Sequence, residues 1–211
     1  MKLTSYQVRL TLTEPLLGTV PMNSKVYLDY IIAKATAKGI PVNVAAELVT
    51  VEDLEEKGWT GFHMSEGKPL LLDYQVKGFL KEAANVLKDE LKVKTMRSKL
   101  DDHLFIFPRH IFIQGTLAEE PFERPLRAMT MQGPRVSLVR SDMIEAGGII
   151  ECELRLLPHR ELNEEVLHEL LSYGALKGLG QFRNGSFGRF TYELKQGPEV
   201  DMRVTLAGAS T

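Results

Sequence analysis

The sequence has few of the features that would assign a chemistry by themselves. Cys152 is the single cysteine in 211 residues, so the chain can form neither an intrachain disulfide nor a cysteine-based zinc site. Its apolar runs are short, and no membrane-spanning helix is expected. The opening Met1-Lys2-Leu3-Thr4 lacks the form of a signal peptide, so a cytoplasmic location is expected. Neither charge sign dominates: 26 Lys and Arg face 28 Asp and Glu, for a net charge of −2. That balance excludes a histone-like, polybasic nucleic-acid binder. There is no Walker A loop, and no His-x-x-His or His-Glu-x-x-His spacing points to a metal. No cofactor and no metal are therefore expected. What remains is ordinary globular composition, with 44% hydrophobic and 26% charged residues, which excludes wholesale disorder. The length suits one elaborated domain over residues 1–211.

The charges are unevenly placed. Glu47, Glu52, Asp53, Glu55 and Glu56 collect in one stretch. Residues 124–140 carry Arg124, Arg127, Arg135 and Arg140 with no acid among them, and residues 174–190 carry Lys177, Arg183 and Arg189, again with none. Solvated loops account for such runs, and so does an anionic partner.

Periodicity gives the order of elements. Val8, Leu10 and Leu12 alternate with Arg9 and Thr11, which predicts a strand over 6–12. Ser24 can cap a helix to about Lys38, and Thr50-Val51-Glu52-Asp53 resembles a capping box closed by Gly58. Residues 59–68 read as a loop. From Asp73, read as a cap, Val76, Phe79, Leu80, Ala83, Ala84, Leu87 and Leu91 form the stripe of a helix over 74–90. Lys92–Lys99 is basic and polar. Leu104–Ile113 reads as an edge strand or as two pieces, because Pro108 interrupts it. Arg127–Arg140 predicts a hairpin around Gln132-Gly133-Pro134. Ile149–Leu157 alternates as a strand with Cys152 inward. Asn163, Glu164 and Glu165 open a helix over 163–173, with Leu162 and Leu167 at the spacing of a hydrophobic staple. A strand follows over 187–195, and residues 206–211 are expected to form a flexible tail.

Without the insertions the order is βαββαβ, so the expected class is α+β, with a ferredoxin-like, RRM-like fold. A helical insertion over 20–72 follows the first strand, and a hairpin insertion over 120–142 separates the middle strands. Fold alone leaves function open.

The informative segment is Tyr173–Phe190, with glycines at 174, 178, 180, 185 and 188. Such density lets backbone approach a ligand and aim N–H groups at an anion. Lys177, Arg183 and Arg189 add charge, and Phe182 and Phe187 offer rings for base stacking. A dinucleotide fingerprint is excluded, because the stretch follows a helix and precedes a strand. A plain long turn with Asn184-Gly185 at its tip is the competing reading.

Gly178-Leu179-Gly180, Arg183-Asn184 and Ser186-Phe187-Gly188-Arg189, following the apolar Leu170-Leu171, resemble the glycine-rich loop of the RAMP superfamily, the repeat-associated proteins of CRISPR systems. Asp73-Tyr74-Gln75-Val76-Lys77-Gly78-Phe79-Leu80-Lys81 is similar to the helix opening of its backbone-subunit branch, without the Pro-Gly-Ser-Ser run. Glu145-Ala146-Gly147-Gly148-Ile149-Ile150-Glu151 is similar to its Pro-Ala-Gly turn into a strand. The three stretches occur in family order over residues 73–190, whereas residues 20–72 match nothing in the family. The resemblance implies a single-stranded RNA partner held by Lys177, Gly178, Gly180, Phe182, Arg183, Asn184, Gly185, Gly188 and Arg189. The track would be extended by Arg124, Arg127, Arg135 and Arg140. It implies either a subunit of a CRISPR-type ribonucleoprotein or a stand-alone phage or prophage relative.

Some RAMP proteins are metal-independent endoribonucleases, for which histidine suits acid–base work near neutrality. Of His63, His103, His110, His159 and His168, His103 and His63 are the candidates, together with Asp101; no catalytic residue is carried over from the family. A third possibility is a protein-interaction module, such as a filament subunit or an antagonist of a defence complex. In it the acids around Glu52–Glu56 would meet a basic site on a neighbouring copy.

Overall fold

The computed structural model describes residues 1–22, 59–130 and 133–203, with backbone alone at 126–130 and 133–137. The expected helices at 24–38 and 50–58, the acidic stretch, the turn residue Gln132 and the tail 206–211 lie outside the described residues. In chain order the elements are β1 (Lys2–Leu12), β2 (Leu16–Leu17), β3 (Val20–Pro21), β4 (Trp59–Gly61), β5 (His63–Ser65) and β6 (Lys68–Leu72). Then come α1 (Asp73–Leu87), α2 (Met96–His103), β7 (Leu104–Phe107), β8 (His110–Gln114), β9 (Phe122–Thr130) and β10 (Gly133–Ser141). The chain continues with β11 (Met143–Ile144), β12 (Ile149–Leu156), α3 (Glu164–Lys177), β13 (Phe190–Gln196) and β14 (Val200–Asp201). The class is α+β with mostly antiparallel sheets. Two compact units divide the chain: Met1–Leu16, His63–Thr116 and Ile144–Thr211 form one, and Leu17–Phe62 with Leu117–Met143 the other.

The first unit is built on the sheet β13-β1-β12-β8-β6-β5, with β7 also on β12 and β14 on β1. Its central strand β1 pairs antiparallel with β12, Val8 opposite Cys152 and Leu10 opposite Ile150. On its other side β1 pairs with β13, Leu10 opposite Tyr192. The even positions Val8, Leu10, Leu12, Ile150, Cys152 and Leu154 are all buried. Alternation therefore does here what the sequence predicts. Burial pushes the Cys152 thiol up to about 12, so it serves as a small apolar core residue.

Helices α1 and α3 lie on this core. Val76, Phe79, Leu80, Ala83 and Ala84 are buried, as their spacing predicts. Asp73 is the first helical residue rather than the cap: the Gln75 side chain accepts from the Leu72 N–H at 2.8 Å, and the Asp73 carboxylate accepts from Tyr74 N–H. Gly174 on α3 lets the helices approach, since a Cβ there would lie 2.0 Å from the Phe79 ring. Phe79 in turn meets Phe190 edge-on, 5.9 Å between centroids.

Asn163 caps α3 through Oδ1, which accepts from Val166 N–H at 3.0 Å. Replacing Asn163 by alanine is expected to cost about 1 kcal/mol in urea denaturation, with no change of fold by far-UV circular dichroism.

Two features differ from the expected pattern, and at a third the structure takes one of the two expected alternatives. The described end of the 20–72 insertion is strand, not loop or helix, over β4, β5 and β6. Pro108 divides Leu104–Ile113 into β7 and β8, and both pieces pair with β12. The polar Lys92–Lys99 stretch leads into α2, whose only buried residues, Met96 and Leu100, stand four apart. One apolar pair on a basic segment is too weak a periodic signal to announce a helix.

The second unit contains the sheet β3-β4-β10-β9. The hairpin β9–β10 is antiparallel from Thr130 opposite Gly133 to Phe122 opposite Ser141. Strand β4 runs parallel to β10, and the Trp59 indole N–H donates to Asp142 Oδ1 at 2.8 Å.

Candidate nucleic-acid interface

The glycine-rich stretch joins the end of α3 to β13. The glycines at 178 and 188 serve close backbone contact. Gly178 ends α3 at φ +85, donating its N–H to Gly174 O at 2.7 Å. A Cβ at 178 would lie 2.3 Å from Phe187 O, and one at 188, where φ is +70, would lie 2.1 Å from Leu179 O. Leu179 N–H donates to Gly188 O at 2.8 Å, and Gly188 N–H donates to Pro15 O at 2.7 Å. The two limbs of the loop are thus bonded to each other and to the chain leaving β1. Two N–H groups, of Leu179 and Gly188, make this closure, and those of Gly178, Gly185 and Ser186 also bond backbone carbonyls, so none of the five is available to an anion.

Between the limbs, Arg183–Gly185 makes one 3-10 turn, entered from Phe182 at φ +54. Phe182 leans on Phe187, 5.6 Å between centroids, and stays 36% exposed. That exposure is enough for its ring to meet a base. Asn184 and Gly185 are exposed at the tip.

The cations here have different fates. Arg183 Nη1 donates to Glu82 Oε2 on α1 at 2.8 Å. An acid 101 residues away therefore answers a charge that looks unopposed in the sequence. Arg189 donates through Nε to Leu176 O at 3.0 Å, which uses one of five guanidinium N–H groups. Among the described residues neither Arg189 nor Lys177 has a carboxylate partner.

The hairpin arginines lie in the other compact unit. Arg140 forms an ion pair with Glu123 at 2.6 Å. Register sets position 124 opposite Val139, 127 opposite Val136 and 135 opposite Ala128. By strand alternation, positions 124 and 135 share one face of the ribbon, and 127 and 140 the other.

The central rows of the sheet face away from the helices are charged. Its rows set Gln7 between Glu153 and Lys195, and Arg9 between Glu151 and Glu193. Arg9 pairs with Glu151 at 3.2 Å, Lys195 with Glu193 at 2.7 Å and Arg155 with Glu153 at 2.8 Å. Three carboxylates occupy these central rows, and the aromatic side chains of this face stand on β7: Phe107 opposite Glu153, its ring covered by the Arg155 guanidinium, and Phe105, 37% exposed, opposite Arg155.

The acid–base candidates separate. Asp101 lies on α2, where Lys81 Nζ reaches Oδ2 at 2.6 Å and Lys77 Nζ reaches Oδ1 at 3.3 Å. The Lys81 hydrogen bond, followed by Lys77, holds its carboxyl below the usual range, so it stays ionised near neutrality. His63 stands on β5 opposite Leu70. His103 ends α2, so it shares no strand face with Asp101. Its ring instead meets His159 edge-on, 4.6 Å between centroids. His103 Nδ1 lies 2.9 Å from Lys99 O, and His159 Nδ1 accepts from Glu161 N–H at 3.0 Å. A carbonyl only accepts, so neutral His103 carries its proton on Nδ1 and presents Nε2 as a base. His159 must carry its proton on Nε2. Lys99 and Glu161 form an ion pair beside them. Sequence spacing could not announce this pair, because its members are 56 residues apart and the contact requires α2.

No family model and no curated protein matches the chain. Among solved structures it is similar to a chain of a Type III-B Cmr-beta complex bound to cognate target RNA. There the identity is 10% and the TM-score 0.45, covering 92% of this chain and 61% of that one. It is also similar to a chain of a Type IV-B CRISPR complex, at 10% identity and a TM-score of 0.47, covering 98% of this chain and 100% of that one. The chain thus spans about three fifths of the first of these.

Proposed function

We propose that this chain is a RAMP-like RNA-binding protein on a ferredoxin-like core, acting as a subunit of a CRISPR-type or phage-encoded ribonucleoprotein. The sheet supports the fold reading: β13 pairs with β1, β1 with β12, and β12 with β7 and β8. Those pairings are compatible with the strand order of a βαββαβ fold, to which β5, β6 and β14 would be additions. One observation carries the function. The closed loop presents the Phe182 ring and two cations, Lys177 and Arg189, that no described carboxylate answers. Single-stranded RNA is the anion that uses both features, phosphates for the cations and a base for the ring.

The pairing of Arg183 with Glu82 sets the expected salt response. Two engaged phosphates give a slope of log K against log salt of about −1.4, at about 0.7 per phosphate for single strands. A fluorescence titration of labelled single-stranded RNA across a salt series measures it. The double variant K177A/R189A should flatten the slope towards zero and weaken binding about tenfold at low salt. Absence of salt-dependent binding at micromolar wild-type protein would overturn the proposal.

The His103–His159 contact favours one second reading, metal-independent RNA cleavage. His103 Nε2 would take the proton of a ribose 2′-OH. As the 2′-oxygen bonded to phosphorus, the P–O5′ bond would break, and His159, as an imidazolium with Nδ1 turned away from the Glu161 N–H, would give its Nε2 proton to the leaving 5′-oxygen and return to the neutral ring. Cleavage of labelled RNA in EDTA, lost in both H103A and H159A, would support it. Intact RNA with wild-type protein would dismiss it.

A further inference from the structure

Strand β13 closes one edge of the eight-stranded sheet, with no partner on its outer side among the described residues. Gly197 N–H donates to Ser5 O at 2.8 Å, and Ser5 is the next position in the β1–β13 register after Tyr6 opposite Gln196. In an antiparallel ladder, bonded positions alternate. The odd positions of β13 therefore bond β1, and Tyr192, Leu194 and Gln196 aim their N–H and C=O groups outward. An open edge of this length is a template for another strand unless its side chains forbid it. Glu193 and Lys195 point from it into solvent, with side chains 57% and 75% exposed.

These two charges select among self-pairings. A two-fold axis perpendicular to the sheet sets residue i opposite a fixed sum minus i, so the axis residue faces its own copy. With the axis on residue 193 or 195, Glu193 or Lys195 faces itself. With it on residue 192, Lys195 faces Arg189, and with it on residue 196, Glu193 faces Glu199. Only the axis on Leu194 sets each Glu193 against the Lys195 of the other copy, twice by symmetry. In that register Leu194 bonds its own copy and Tyr192 exchanges bonds with Gln196. The outward-facing backbone groups are thereby satisfied in the same register that satisfies the charges.

We infer that two copies of this chain associate through antiparallel β13 edges about a two-fold axis at Leu194, independently of RNA. The Glu193–Lys195 ion pair within each strand is exchanged for two between the copies. The registers that set like charges opposite each other are disfavoured.

Sedimentation of the RNA-free chain over a micromolar to sub-millimolar series, at low and at high salt, tests it. Wild type should reach a dimer, more weakly at high salt. E193K sets lysine against lysine twice and should raise the dissociation constant at least about tenfold. The charge swap E193K/K195E restores opposite pairs in the same register and should return the dissociation constant to within about threefold of wild type. K195E serves as the single variant should E193K fail to fold by circular dichroism. A wild-type monomer throughout the series, a dimer indifferent to the single variants, or a swap that stays monomeric would each overturn the inference.

Discussion

Gly188→Ala is expected to destabilise the protein by about 3 kcal/mol and to abolish RNA binding at micromolar concentrations, even where the chain remains folded. Two costs combine. Position 188 has φ +70, where a Cβ costs roughly 1–2 kcal/mol. The added carbon would also lie 2.1 Å from Leu179 O and 2.8 Å from Leu179 N. Both are backbone atoms, so no side-chain rotation relieves the overlap, and overpacking of this kind costs about 1–3 kcal/mol. Relief requires parting the limbs, which breaks the Leu179 N–H to Gly188 O bond and the Gly188 N–H to Pro15 O bond. Phe182 and Arg189 would then no longer be held on one closed loop. Urea denaturation measures the first effect and RNA titration the second. Asn184→Ala, at the exposed tip, is the matched control and should stay within about 0.5 kcal/mol of wild type. If Gly188→Ala matched wild type in both measurements, the closed loop would not be what presents the RNA-binding groups.

Elements with two-residue or 3.6-residue periodicity were legible in the sequence because burial of one face is written into such patterns. Val8, Leu10 and Leu12 on β1, the Val76–Ala84 stripe on α1 and the Asn163 cap are of this kind. Helix α2 was not, since Met96 and Leu100 give one apolar pair among lysines and arginines. The glycine-rich segment was visible as a site candidate, but the reason for its glycines was not. Gly178 and Gly188 are required by a contact between the two limbs of the loop, a distance no local spacing encodes. Charge was the least legible property. Arg183 stands in an acid-free stretch, yet Glu82 on α1 answers it, and Arg140 meets Glu123 across the hairpin ladder. The charge offered to a phosphate chain depends on such long-range pairings, so the count of candidate cations on the loop falls from three to two.

Glu153→Ala is expected to cost about 2 kcal/mol at neutral pH, with a loss that shrinks in acid. Glu153 sits at the centre of a half-buried network on the outer sheet face. Arg155 donates to it through Nε at 2.9 Å and Nη2 at 2.8 Å, and Ser5 Oγ donates at 2.6 Å. The Arg155 guanidinium lies over the Phe107 ring, 4.1 Å from its centroid. Ser5 is 1% exposed, and the Arg155 and Glu153 side chains are 18% and 19% exposed. Truncating Glu153 removes the carboxylate that a largely desolvated guanidinium and a buried hydroxyl both use, which costs more than the net worth of the pair. The Arg155 hydrogen bonds, and then Ser5, hold the Glu153 carboxyl below its ordinary value of 4.5. Its folded pKa is thus depressed. The stability it contributes is fully present above the unfolded pKa near 4.5 and is lost as pH falls through the lower, folded value. Wild type should therefore lose stability below about pH 4.5 faster than Glu153→Ala, and the two denaturation curves should converge in acid. Glu153→Gln keeps an acceptor for Ser5 but not the charge, and should lie between them. A pH-independent gap between wild type and Glu153→Ala would mean that cavity formation, not the ion pair, sets the cost.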